Sequence, residues 1–228
     1  MSKNELTAVP LKPGAYEKPE RKNPDIDSRK YDKIDRACES TLIANDGNPY
    51  LPEESLPGLL NKNKNQARYI ADNMIPDQGK RTINNRPMIS TPDLVGYMDR
   101  NSHQTRNAEE AELNRYGRDS LIAIGDSDQA EAERRKIDAR YNREAPQLRK
   151  KRGVERDEIT GEPLGPGAAF HHVNAKAIYN DPNEVLDPDN GINVNPATHK
   201  EIHSRNLLDR KSLEENADDI RQKLMGKR

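Results

Sequence analysis

The sequence predicts an α+β chain: a mostly helical, partly extended N-terminal region, then a small strand–loop–strand–helix unit with flanking helices. Three observations lead there. Ten of the 16 prolines fall within residues 1–100, too closely spaced for long helices or central strands. Prolines then vanish from about 106 to 144. Four of the five histidines crowd into the last third, between two β-rich runs and a helix start.

With 32% hydrophobic and 34% charged residues and no Trp, the chain is too polar to bury a core along its whole length. Residues 1–105 therefore read as a Pro-rich, polar, partly disordered region. "LTAVPLKPGAYEKPERKNPDID" is an extended tail, and short helices are expected at about 28–44 and 60–74. Residues 106–150 read as a helical spacer. "RNAEEAELNRYGRDSLIAIGD" and "SDQAEAERRKIDARYNRE" are rich in helix formers, Ser127 or Asp128 can cap the second helix, and Pro146 closes it.

Residues 151–228 form the third stretch. "AAFHHV" and "GINVNP" are short and β-branched enough for strands. Thr198 followed by Glu201, and Ser212 followed by Glu215, are capping-box pairs that predict two helix starts. Leu213, Ala217, Ile220 and Leu224 would line one face of the last helix.

A net charge of −1 gives no bulk attraction to nucleic acid, so any such affinity must be local. Cys38 alone excludes an intrachain disulfide and a cysteine zinc ribbon. No apolar run is long enough for a signal peptide or a membrane span. The expected compartment is cytoplasmic with no membrane partner; export as an effector without a cleaved signal is the alternative.

His199 and His203 stand four apart early in a helix, which stacks both imidazoles on one face at the separation one metal ion needs. His171 and His172 are strand neighbours and point to opposite faces. One of them can join the helical pair, and the other is left for proton chemistry beside the metal. Three protein ligands with an open position fit a catalytic metal.

"AFHHV…DPDNGINVNPATHKEIH" resembles the HNH nuclease motif, the ββα-metal finger, and within that family the DNase domains of nuclease-type colicins. The resemblance covers about residues 157–208. It implies that His171, His199 and His203 ligate one divalent metal (zinc, nickel, magnesium or manganese), and that His172 is the general base. It further implies that Asn190 bonds backbone across the long loop to hold His172. The implied function is metal-dependent hydrolysis of DNA phosphodiesters with little or modest sequence specificity. Substrate-binding cations would be Arg149, Lys150, Lys151 and Arg152, with Lys200 and Arg205 on or after the finger helix.

Two departures stand out. The CxxC pair that clamps many members is missing, so Phe170, Val173, Ile192, Val194 and Ile202 would hold the finger by packing. Ala169 stands where the colicin type has an acidic residue. Two other functions fit the same residues. One is a toxin-type nuclease effector with an immunity partner. The other is a non-catalytic interaction protein that binds another protein through its N-terminal region and uses the metal only as a staple.

Overall fold

The computed structural model describes residues 6–174 and 185–226. It mixes helix with antiparallel sheet. The chain divides into two compact units at 137/138. Among the described residues no helix is long and apolar enough to cross a membrane.

In the first unit, β1 (Ala8–Pro10), β2 (Leu42–Ala44), β3 (Pro49–Pro52), β4 (Lys80–Ile83) and β5 (Arg86–Ser90) form one sheet in the order β1-β2-β3-β5-β4. The helices are α1 (Ser28–Glu39), α2 (Leu56–Leu60), α3 (Lys64–Met74), α4 (Thr91–Gln104), α5 (Ala108–Gly125) and α6 (Asp128–Glu144), the last running on past residue 137. Ile34, Leu51, Leu56, Ile89, Leu94, Met98, Leu121 and Ile124 are fully buried in its main core.

This sheet corrects the expectation that the prolines forbid central strands. They sit where a missing N–H costs nothing. Pro49 and Pro52 are the first and last residues of β3. Pro87 lies one residue outside the register that pairs β3 with β5. Pro57 and Pro92 open α2 and α4, where the ring is pre-set for a helix. The expected helix at 28–44 stops at Glu39, and β2 takes its last three residues.

The polar tail is also anchored. The Gln129 amide clasps it from α6, accepting from Lys12 N–H (2.9 Å) and donating to the Pro10 carbonyl (3.0 Å). Lys18 and Arg21 reach the buried Asp35 of α1 at 3.3 and 3.0 Å, and Tyr116 of α5 donates its hydroxyl to the same carboxylate at 2.7 Å. A sequence this charged packs because its buried acid is paired. Nor is α5 a spacer: Leu113, Tyr116, Leu121 and Ile124 bury one face, and it packs against α4 and α1. Only α6 matches the solvated-helix reading, burying Ala130 alone. Ser127 is its cap, its Oγ accepting from Ala130 N–H at 3.3 Å.

The second unit holds α7 (Leu148–Arg152), β6 (Ala169–His172), β7 (Gly191–Val194), α8 (Pro196–Ser204) and α9 (Arg210–Met225). Ile159, Val173, Val194, Ile202, Leu207, Leu213 and Ile220 form its core, with Ile192 and Leu224 packed against it. Both helices start earlier than the capping pairs predict. Pro196 opens α8 after Asn195, and Thr198 is buried rather than capping. For α9 the box is Asp209 with Ser212, three residues before the expected pair. Asp209 Oδ1 accepts from Ser212 N–H at 2.8 Å, an N-cap as good as a serine.

Polar bonds do the clamping that packing alone was expected to do. Asp157 is buried, and its Oδ1 accepts from the Ile159 and Thr160 N–H groups at 2.9 Å each. Its Oδ2 accepts from Asn195 N–H, just before α8, at 2.7 Å. Asn193 of β7 donates to the Arg149 and Val154 carbonyls at 3.0 Å each. Phe170 is absent from the core and has another place, beside His172.

Candidate metal centre

Strands β6 and β7 pair antiparallel, with His171 opposite Ile192 and His172 opposite Gly191. Alternation along β6 turns the two histidines to different faces. The His171 ring meets His199 and His203 of α8, with centroids 5.3 and 5.2 Å away. The His172 ring instead meets Phe170 edge-on at 5.1 Å and Tyr141 of α6 at 6.4 Å.

His199 and His203 share a face of α8, with their Nε2 atoms 3.2 Å apart. One potential ligand atom from each of His171, His199 and His203 lies within 4.8 Å of the others. Nitrogens at about 2.0–2.1 Å from one zinc ion must lie within roughly 4.2 Å of each other, so the trio needs only a small closure to hold an ion. His171 is buried, His199 half-buried and His203 exposed, which leaves one side open to solvent.

Electrostatics favour the ligand form. Burial, reinforced by the neighbouring imidazoles, pushes the His171 pKa down to about 4. Burial and His203 lower that of His199. Both therefore present lone pairs rather than charge at neutral pH. Glu201, on the same helix, is no competing ligand. Lys223 holds its two oxygens at 2.7 and 2.8 Å, and Arg205 donates to it at 2.8 Å. An all-imidazole donor set suits zinc, nickel and related ions better than magnesium.

His172 Nε2 lies 2.9 Å from the Val185 carbonyl oxygen. A carbonyl only accepts, so Nε2 is the donor in this contact. Asn190 is buried at the end of a 3₁₀ turn, Pro188–Asn190. Its carbonyl accepts from Val173 N–H at 2.9 Å and its Oδ1 from Asn174 N–H at 3.2 Å. These bonds fasten the turn to the chain directly after the histidine doublet.

The expected substrate cations divide. Arg149, Lys150, Lys151 and Lys200 are exposed, with Lys151 3.5 Å from Glu144. Arg152 is held by Glu158 (2.8 Å) and Asp189 (2.6 Å), and Arg205 by Glu201 (2.8 Å) and Asp219 (3.1 Å). Those two tie elements of the unit together. The sequence reading missed Val185, whose backbone oxygen leaves no sequence signal. It also missed Asp157, although "DEITG" is a turn in which an Asp side chain bonds backbone ahead of it.

Gly191 explains the lone Phe. A Cβ there would strike the Phe170 ring and lie 2.7 Å from the His171 carbonyl oxygen. The bare backbone of β7 is thus the slot in which Phe170 sits against His172. Gly191→Ala is expected to destabilise the second unit by about 1–3 kcal/mol through overpacking, read as a lower thermal midpoint. Adding Phe170→Ala should recover only part of that loss, because the backbone oxygen remains in the way.

Comparison with protein-family models, curated proteins and solved structures finds no match to this chain.

Proposed function

We propose that the second unit is a single-metal endonuclease of the HNH type, a ββα-metal finger that hydrolyses DNA phosphodiesters. The observation that supports it most is the sorting of four histidines: three converge from a strand and a helix, and the fourth turns to the other strand face, where its Nε2 meets the Val185 carbonyl. His171, His199 and His203 would hold one divalent ion, zinc or nickel before magnesium or manganese. When bound, that ion supplies Lewis-acid stabilisation of charge at the scissile phosphate. His172 does the proton work. With Nε2–H donated to Val185, Nδ1 accepts the proton of the attacking water. Asn190 keeps the chain after His172 in place, and Phe170 packs on its ring. Arg149, Lys150, Lys151 and Lys200 contact phosphates and read no sequence.

Plasmid nicking tests this directly. Protein stripped with chelator should be inactive, and zinc, nickel, magnesium or manganese added singly should restore nicking with at least one ion. Stoichiometric metal binding with no nicking under any ion would favour the non-catalytic, metal-stapled interaction protein.

A further inference from the structure

The first unit carries a surface that the histidine site does not use. In chain order α1, β3, α2, α3, β4 and β5 form three helices and a hairpin, with β3, β5 and β4 adjacent in the sheet. α1 packs on α2, and α2 on α3. The link between α2 and α3 is only Asn61–Asn63. Asn61 makes the bend in the left-handed region at φ 50°, and its amide is tied to the Lys30 carbonyl of α1 at 3.1 Å. Asn63 and Gln66 close a capping box at the start of α3. A three-residue turn between two packed helices is the kind of connection a helix–turn–helix uses, a motif whose second helix enters the DNA major groove.

The residues of α3 fit that role. Ala67, Ile70 and Ala71 face inward. Lys64, Asn65, Arg68, Tyr69 and Asp72 are exposed on the outer face. Arg and Lys pair with guanine edges, Asn with adenine, and the first two turns carry Lys64, Asn65 and Arg68. Among the described residues Arg68 forms an ion pair with Asp72 alone, 3.7 Å away, and both side chains are more than half exposed. A pair of that kind is worth little.

Charge supports the same surface. Residues 61–90 hold six lysines and arginines against two acids, whereas residues 5–137 as a whole hold 21 against 23. Four of these six, Lys64, Arg68, Arg81 and Arg86, are exposed on α3 and the hairpin, while Lys62 pairs with Glu110 and Lys80 with Asp77. Arg81 and Arg86 are exposed on that hairpin. Asn84 pins its tip by donating to the Ala8 carbonyl at 3.0 Å, and Lys80 at its base reaches the Asp72 carbonyl of α3 at 3.3 Å.

We infer that α3 is a recognition helix and that the first unit binds double-stranded DNA, with Lys64, Arg68 and the hairpin cations on the phosphates of a random-sequence duplex. This stands apart from the reading of the histidine site. The test is fluorescence anisotropy of the full chain on short labelled duplexes of random sequence, in chelator so that nothing is cut, across a salt series. Lys64→Ala/Arg68→Ala should weaken binding about 10-fold or more and reduce the slope of log affinity against log salt by about 1 to 2, near 0.9 per lost phosphate contact. Arg135→Ala/Lys136→Ala removes equal charge from the exposed face of α6 and should change both little. All four side chains are exposed, and circular dichroism melts confirm that the variants fold. The inference fails if the wild type does not bind duplexes, if the α3 variant keeps wild-type affinity and slope, or if the two variants lose binding equally. Tighter binding to single-stranded DNA or RNA than to the duplex also overturns it. A chain that binds duplexes through α3 but never nicks a plasmid leaves this inference standing and removes the nuclease.

Discussion

His172→Ala is expected to slow plasmid nicking by about 100- to 10,000-fold, the usual cost of losing a general base, while metal stoichiometry and affinity stay at wild-type values. The two halves of that result come from the two faces of β6. His172 lies outside the trio: its ring packs on Phe170 and Tyr141 and its Nε2 bonds to Val185. Loss of the ring should therefore leave the metal ligands untouched. His172→Asn, which can donate to a carbonyl but lacks a basic nitrogen, should be as slow as the Ala variant. Rates and metal titration by calorimetry on the same preparations provide the check. If His172→Ala loses the metal while His171→Ala keeps it, the two roles are exchanged. If both His172 variants nick at wild-type rate, a general base at this position is ruled out.

What could be read from the sequence follows from the range of the interactions involved. The histidine trio was legible because helix and strand periodicity place His199, His203 and one of the doublet without any long-range information. Which of the doublet joins them was not fixed by periodicity, and the ring contacts of β6 show it to be His171. The five-stranded sheet was not legible. Its strands are three to five residues long, too short for alternation to register, and prolines occupy the ends of β1 and β3. The core of α5 was hidden for another reason. Its exposed charges dominate the composition, while Glu112 and Asn114 lie buried among the apolar residues and blur the apolar stripe. The Asp157 clamp has no cysteine signature in the sequence: a buried carboxylate accepting three backbone N–H groups fastens the turn without a metal.

The second large effect separates the three histidines of the trio from one another. Each of His171→Ala, His199→Ala and His203→Ala should weaken metal binding on the order of 100-fold or more, beyond the 10- to 100-fold typical of losing a partner that only orients a ligand, and should abolish nicking. Their effects on stability should differ, because the three rings are buried to different degrees. His203 is exposed, so without metal its Ala variant should melt like the wild type. His171 is buried against both helical imidazoles, so its Ala variant leaves a cavity and should melt lower even in chelator. Metal then adds a linked term. An ion at about 100 times its dissociation constant stabilises the folded state by about 2.7 kcal/mol, and a 100-fold weaker site loses most of that. For a unit of roughly 90 residues the loss corresponds to about 10 °C in midpoint. Melting curves of all three variants with chelator and with zinc decide the matter. A metal-induced rise that survives in His203→Ala would show that the exposed ring is not a ligand, and would reduce the site to two histidines, too few to hold a catalytic ion.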